Sequence, residues 1–215
     1  MSDTTTSTST TATSTTAGPT LRPLFGGALV CQIPDDWRDV SDVRQVPDHQ
    51  ECWQDGEGRV WVVEILDRHA AVADAGAAAF FFHDLAQANG ATDPADRLFT
   101  PAAQPELATR IMGVVVPIAA LSDNSSASLC FGTGHQRVAL GRDTDLAGNP
   151  RAQEDRWIRV ELCVIRLASK DTDLLVTLSS PSAPNPQETT NSTPSTGLFV
   201  QMLGSLQIRD WSLFG

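Results

Sequence analysis

Residues 157–179 read WIRVELCVIRLASKDTDLLVTLS. Two β-branched and apolar runs of strand length lie in this stretch, Trp157 to Ala168 and Leu174 to Ser179, with a polar break between them and no helical pattern to carry the chain across. Strands that follow one another without an intervening helix pair antiparallel, because a parallel pair needs a crossover of a dozen or more residues. Upstream, Ile111 to Ile118 and Ser128 to Leu140 have the same character, separated by Gly, Asn, Asp and Pro clusters. The C-terminal half is therefore expected to be built on an antiparallel sheet.

Further toward the N-terminus, Ala28 to Ile33 and His49 to Trp53 read as short strands, and Arg59 to Leu66 as a longer one. In the longer run Val60, Val62 and Glu64 alternate with Trp61, Val63 and Ile65, so both faces are mostly apolar. That pattern predicts a central strand covered on both sides, with Glu64 near an end or paired. Ala70 to Ala88 reads as a helix: it is Ala-rich, Phe81, Leu85 and Ala88 fall on one face, and Asn89-Gly90 is a stop signal. Leu198, Met202 and Leu206 recur every fourth residue and predict a final helix packed on the sheet. The sum is an α+β fold, a single-domain α/β/α sandwich with a central, mainly antiparallel sheet flanked by helices.

One domain is expected to span residues 21–215, preceded by a disordered Ser/Thr-rich tail over 1–20 and interrupted by a long Pro/Ser/Thr/Asn surface loop at 181–196. The chain has 215 residues, enough to bury a core without disulfides or metals. Its four cysteines, Cys31, Cys52, Cys130 and Cys163, form no C-x-x-C pair and suit a reduced intracellular protein. No stretch approaches the roughly 18 apolar residues that cross a bilayer. With 15 Lys+Arg against 26 Asp+Glu the net charge is -11, which disfavours nucleic acid and anionic lipid and favours a partner that carries positive charge.

Signals for chemistry are weak. His49, His69, His83 and His135 lack metal-ligand spacing. Gly132-Thr133-Gly134 lacks the ending and following helix of a phosphate loop and is expected to form a β-turn. Asp143, Asp145, Gly148 and Glu154 match four positions of a calcium loop, but Ala147 and Pro150 spoil it and leave a solvated turn. The sequons at Asn124 and Asn191 are read as coincidental, and no G-x-S-x-G elbow nominates a nucleophile.

The strongest local bias is residues 35–57. There Asp35, Asp36, Asp39, Asp42, Asp48, Glu51, Asp55 and Glu57 face only Arg38 and Arg44, so eight acids against two arginines leave a net of -6. The run is either a hydrated face that aids solubility or, because Val40, Val43, Val46, Pro47 and Trp53 interleave it, a structured edge whose carboxylates read a basic partner.

At this segment the chain resembles a known family. Leu24-Phe25-Gly26-Gly27-Ala28, Asp39-Val40-Ser41-Asp42 with Arg44, and Val46-Pro47-Asp48 with Gln50 and Glu51 look like the N-terminal signature of the Ran guanine-nucleotide release factor, or Mog, family. Val63 to Leu66, Phe82 to Leu85, Gln136 to Ala139, Arg166-Leu167, Thr172 to Leu175 with Thr177, and the closing Ser205-Leu206, Asp210 and Leu213 to Gly215 follow in the family's order. Cys52 departs from it, standing where an aliphatic residue is usual.

The resemblance implies the fold shared with the photosystem protein PsbP. It also implies binding to the Ran GTPase, release of Ran's guanine nucleotide and support of nuclear protein import, by a non-enzyme of the nucleus and cytoplasm that works as a monomer without cofactor. Carried over by position, the acidic pair that contacts Ran is Asp48 and Glu51, with Asp42, Arg44, Pro47 and Gln50 expected as neighbours on the same surface. Two structural readings stay open beside it: Pro47 and Asp48 as a turn between strands, and Arg44 as a partner of Asp42. A role as a PsbP-like plastid lumen protein assisting a photosystem is the alternative function.

Overall fold

The computed structural model describes residues 20–102, 108, 127–140, 154–182 and 197–215. The expected strand at Ile111 to Ile118, the tail up to residue 19, both sequons, residues 183–196 of the long loop and all of the calcium-like spacing except Glu154 lie outside the described residues.

The chain begins with β1 (Thr20–Leu24), β2 (Leu29–Ile33), the two-residue β3 (Arg38–Asp39), β4 (Gln50–Gln54) and β5 (Val60–Asp67). Helix α1 (Asp74–Ala88) follows, then β6 (Arg97–Ala102), β7 (Ala127–Leu140), β8 (Glu154–Leu167) and β9 (Thr172–Pro181). Helix α2 (Gly197–Ser205), the short β10 (Gln207–Ile208) and a 3-10 turn (Trp211–Phe214) close the chain.

Among the described residues seven strands form one sheet in the order β3-β4-β5-β9-β8-β7-β6, every pair antiparallel. Ala28 to Ile33, read as an ordinary strand, supplies β2 to a separate three-stranded sheet, β1-β2-β10. On one face of the large sheet Trp61, Val63, Cys163, Ile165, Leu174 and Val176 meet Leu29, Cys31, Ile33, Phe199, Met202 and Leu203 from that small sheet and α2. On the other, Val160, Leu162, Val164 and Leu175 meet Ala77, Ala78, Phe81 and Phe82 of α1. Removing Phe81 and Phe82 from water stabilises the fold by about 1.5–3 kcal/mol each. The expected α/β/α layering is present, with one outer layer shared between α2 and the small sheet.

Three expectations need correction. Helix α1 starts at Asp74, not near Ala70, because the buried Arg166 guanidinium takes the carbonyls of His69 and Val72 as acceptors and holds that segment outside the helix. The strand expected over Arg59 to Leu66 to be covered on both faces is fully buried only at Trp61 and Val63; Val60, Val62, Glu64, Ile65 and Leu66 are half-buried. Gly132 and Gly134 form no turn but sit inside β7. A Cβ at Gly132 would stand 2.4 Å from the Phe99 ring, and one at Gly134 2.3 Å from the Leu98 carbonyl and 2.5 Å from the Phe82 ring, so glycine is what lets β6 and α1 pack closely on β7.

Candidate functional site

The acidic segment forms the β3-β4 edge of the large sheet. Pairing with β3 reaches only Trp53 and Gln54, so Gln50 to Cys52 lie beside the 3-10 turn Val40–Asp42. Asp39 caps that turn, its Oδ1 accepting the Ser41 N–H at 2.8 Å. Before β4, Pro47 accepts the Gln50 N–H at 2.9 Å and closes a β-turn that holds Asp48 exposed at its tip. The turn reading of Pro47 and Asp48 is thus correct as geometry, and the turn is what projects the Asp48 carboxylate.

Glu51 sits opposite Val63, a core residue of the face that carries α2 and the small sheet. From there its Oε1 accepts the backbone N–H of Phe25. The contact lands on unusual backbone: Phe25, Gly26 and Gly27 have φ of 49, 65 and 95°, three left-handed residues in succession. Burial pushes the Glu51 carboxyl above the usual carboxylate range, the Phe25 N–H opposes that shift, and the charge of Asp39 adds to it.

Gln50, one residue earlier, points to the opposite face by strand alternation. Its Nε2 donates to Glu64 Oε1 at 2.6 Å, and His49 Nε2 lies 3.4 Å from the same oxygen, so Glu64 is the paired carboxylate its strand pattern called for. Gln50, Val60, Val62, Glu64, Leu175 and Thr177 line part of a groove of about 1140 Å³ beside the C-terminal end of α1. Gln50 therefore does not share a surface with Glu51.

Asp42 and Arg44 are exposed, as is Pro47. Arg44 turns to the Cys52 thiol, which burial raises in pKa and the Arg44 charge and hydrogen bond pull back. Of the eight acids, several are engaged in local structure. Asp39 caps a turn, Asp35 lies 3.8 Å from Arg22, and Asp55 closes the β4-β5 hairpin by accepting the N–H groups of Glu57 and Arg59 at 2.9 and 2.8 Å. Glu57 is exposed 3.4 Å from Arg59, and Asp36, Asp42 and Asp48 are exposed too, Asp42 and Asp48 being the two that lie between β3 and β4. Sequence reasoning missed the Phe25 main chain as the partner of Glu51; the visible signals were the Leu24 to Ala28 motif and its Gly26-Gly27 pair, permissive of positive φ.

Fold and site together define an α+β sandwich that carries an ordered acidic edge. The sequence model of the family described as "Ran-interacting Mog1 protein" matches residues 22–181. The chain belongs to that family. It is 29% identical over 203 residues to the zebrafish (Danio rerio) Ran guanine nucleotide release factor, covering 90% of this chain and 99% of the relative. It is 30% identical over 200 residues to the Bos taurus protein of the same name, covering 90% and 95%. Among solved structures the Saccharomyces cerevisiae Ran-binding protein Mog1p superposes with a TM-score of 0.61 at 18% identity, over 92% of this chain and 99% of that one, and shares its fold.

Proposed function

We propose that this protein binds the Ran GTPase and promotes release of its guanine nucleotide, supporting nuclear protein import as a binding regulator rather than a catalyst. The observation that carries the reading is membership of the Ran-interacting family together with an ordered acidic edge on a chain of net charge -11. Asp48 and Glu51 centre the surface, Asp42, Arg44 and Pro47 flank it, and Gln50 supports it from the opposite face through Glu64. The protein acts as a monomer, without cofactor, nucleic acid or membrane, in nucleus and cytoplasm.

Release follows from linkage. A factor that weakens nucleotide binding to Ran is itself weakened by nucleotide, in equal measure, so it must bind nucleotide-free Ran more tightly. Each tenfold of that preference requires about 1.4 kcal/mol of differential contact. Carboxylates at fixed positions steer a basic surface into register and compete with phosphates for positive charge.

The test is release of a fluorescent guanine nucleotide from purified Ran, with this protein and with its Asp48→Ala/Glu51→Ala variant. Acceleration by the native chain that the double variant loses supports the function and the surface; absence of both acceleration and Ran binding refutes it. Imaging of a C-terminally tagged fusion adds the location, and signal confined to plastids would favour the photosystem role instead.

A further inference from the structure

The Phe25-Gly26-Gly27 turn is held from several sides. Phe25 donates to Glu51, the Ala28 N–H closes back on the Phe25 carbonyl at 3.2 Å, and the Ala28 carbonyl accepts the N–H groups of Arg209 and Asp210 at 2.8 and 3.1 Å. A left-handed conformation is strained for a non-glycine residue, and these bonds hold Phe25 at its φ of 49°. The acceptor for Phe25 comes from a different strand, 26 residues along, and is a half-buried acid whose charge burial opposes. A neutral acceptor would complete the turn at lower cost.

The turn also opens outward. Gly26 is exposed, and a Cβ built at Gly26 or Gly27 would meet nothing within 4 Å, so bare backbone faces open space beside the acidic edge. The Glu51 carboxylate, by contrast, is committed inward to Phe25.

We propose that Glu51 is a positioning residue of the Ran-facing surface: its carboxylate locks the Phe25-Gly26-Gly27 turn, the turn itself meets Ran, and the charge that meets Ran is supplied by the exposed Asp48 and Asp42. This rests on the Ran-binding reading and divides the labour within it. A glutamine at 51 keeps an acceptor oxygen for the Phe25 N–H and removes the charge, whereas an alanine removes both.

The experiment measures Ran affinity for the full-length protein and for Glu51→Ala, Glu51→Gln, Gly27→Ala and Asp48→Asn, with amide hydrogen exchange at Phe25 read on each. Glu51→Ala should bind about tenfold more weakly and lose Phe25 protection, and Glu51→Gln should restore both to within about threefold of the native protein. Gly27→Ala, strained at a φ of 95° with Glu51 intact, should weaken binding as Glu51→Ala does. Asp48→Asn should weaken binding while Phe25 protection stays native.

Binding by Glu51→Gln as weak as by Glu51→Ala, with Phe25 still protected, would make Glu51 a direct charge contact and overturn the proposal alone. Native affinity in Gly27→Ala would overturn it too. A native chain that fails to bind Ran would overturn the Ran reading and this proposal together.

Discussion

Arg166 is 1% exposed and directs its whole guanidinium into the protein. Nε donates to Asp173 at 3.0 Å, Nη1 to Asp74 at 2.8 Å and to the Val72 carbonyl, and Nη2 to the His69 carbonyl at 2.8 Å. Asp173 stands directly across the β8-β9 ladder, fully buried, and its second oxygen accepts the His69 N–H at 3.1 Å. Desolvating such a pair is costly, and the geometry repays it only while every donor and acceptor is matched. Arg166→Ala would strand the Asp173 carboxylate and is expected to cost about 3–5 kcal/mol in urea denaturation. Asp48→Ala, at an exposed turn tip, should stay within about 0.5 kcal/mol of the native protein in the same assay. That contrast separates a residue that builds the fold from one free to serve a surface.

At the scale of elements, the β4-β5 hairpin depends on one carboxylate. Burial works against the Asp55 charge, but the Arg59 side chain and the N–H groups of Arg59 and Glu57 outweigh it and hold its pKa below the ordinary value. A depressed folded pKa gives stability that is present above the unfolded value, near about pH 4, and lost as pH falls through the folded one. Asp55→Asn should therefore flatten the acid limb of stability against pH below about pH 4 while the native protein keeps its slope, as read by thermal melts across that range. Within β7, Gly134→Ala should cost about 1–3 kcal/mol, because the added methyl meets the Leu98 carbonyl and the Phe82 ring, and melting temperature reports it directly. Sequence patterns could not expose that site: in isolation a Gly-Thr-Gly run signals a turn, and only the approach of β6 and α1 explains it within a strand. The same holds for β6, where Pro101 argues against a strand, yet among the described residues β6 is the outermost strand of the sheet, a position that tolerates proline. The helix and the long strands were legible because their apolar periodicity is local.

For the whole molecule, antiparallel pairing was readable from runs that follow one another, but strand order was not, since it depends on contacts between distant segments. Asp48 and Glu51 were nominated through family resemblance, and charge alone could not have singled them out of eight acids. The opposite facing of Gln50 and Glu51, by contrast, follows from period two in a strand already expected at His49 to Trp53. What the residues never announced is that a backbone N–H at Phe25, not another side chain, is what Glu51 binds.

β9 occupies the middle of the large sheet, between β5 and β8, and pairs Val63 with Val176 across about 110 residues. During synthesis, then, the edge of β5 leaves the ribosome long before the strand that covers it, and nothing behind it can close the gap. A nonsense codon just ahead of Thr172 should yield not a smaller working protein but two unsealed half-sheets, β3-β4-β5 and β8-β7-β6, and such a product should be found in inclusion bodies or cleared by proteases when its solubility is compared with the full-length chain. Genetic loss late in the reading frame is thus expected to be as complete as loss at its start.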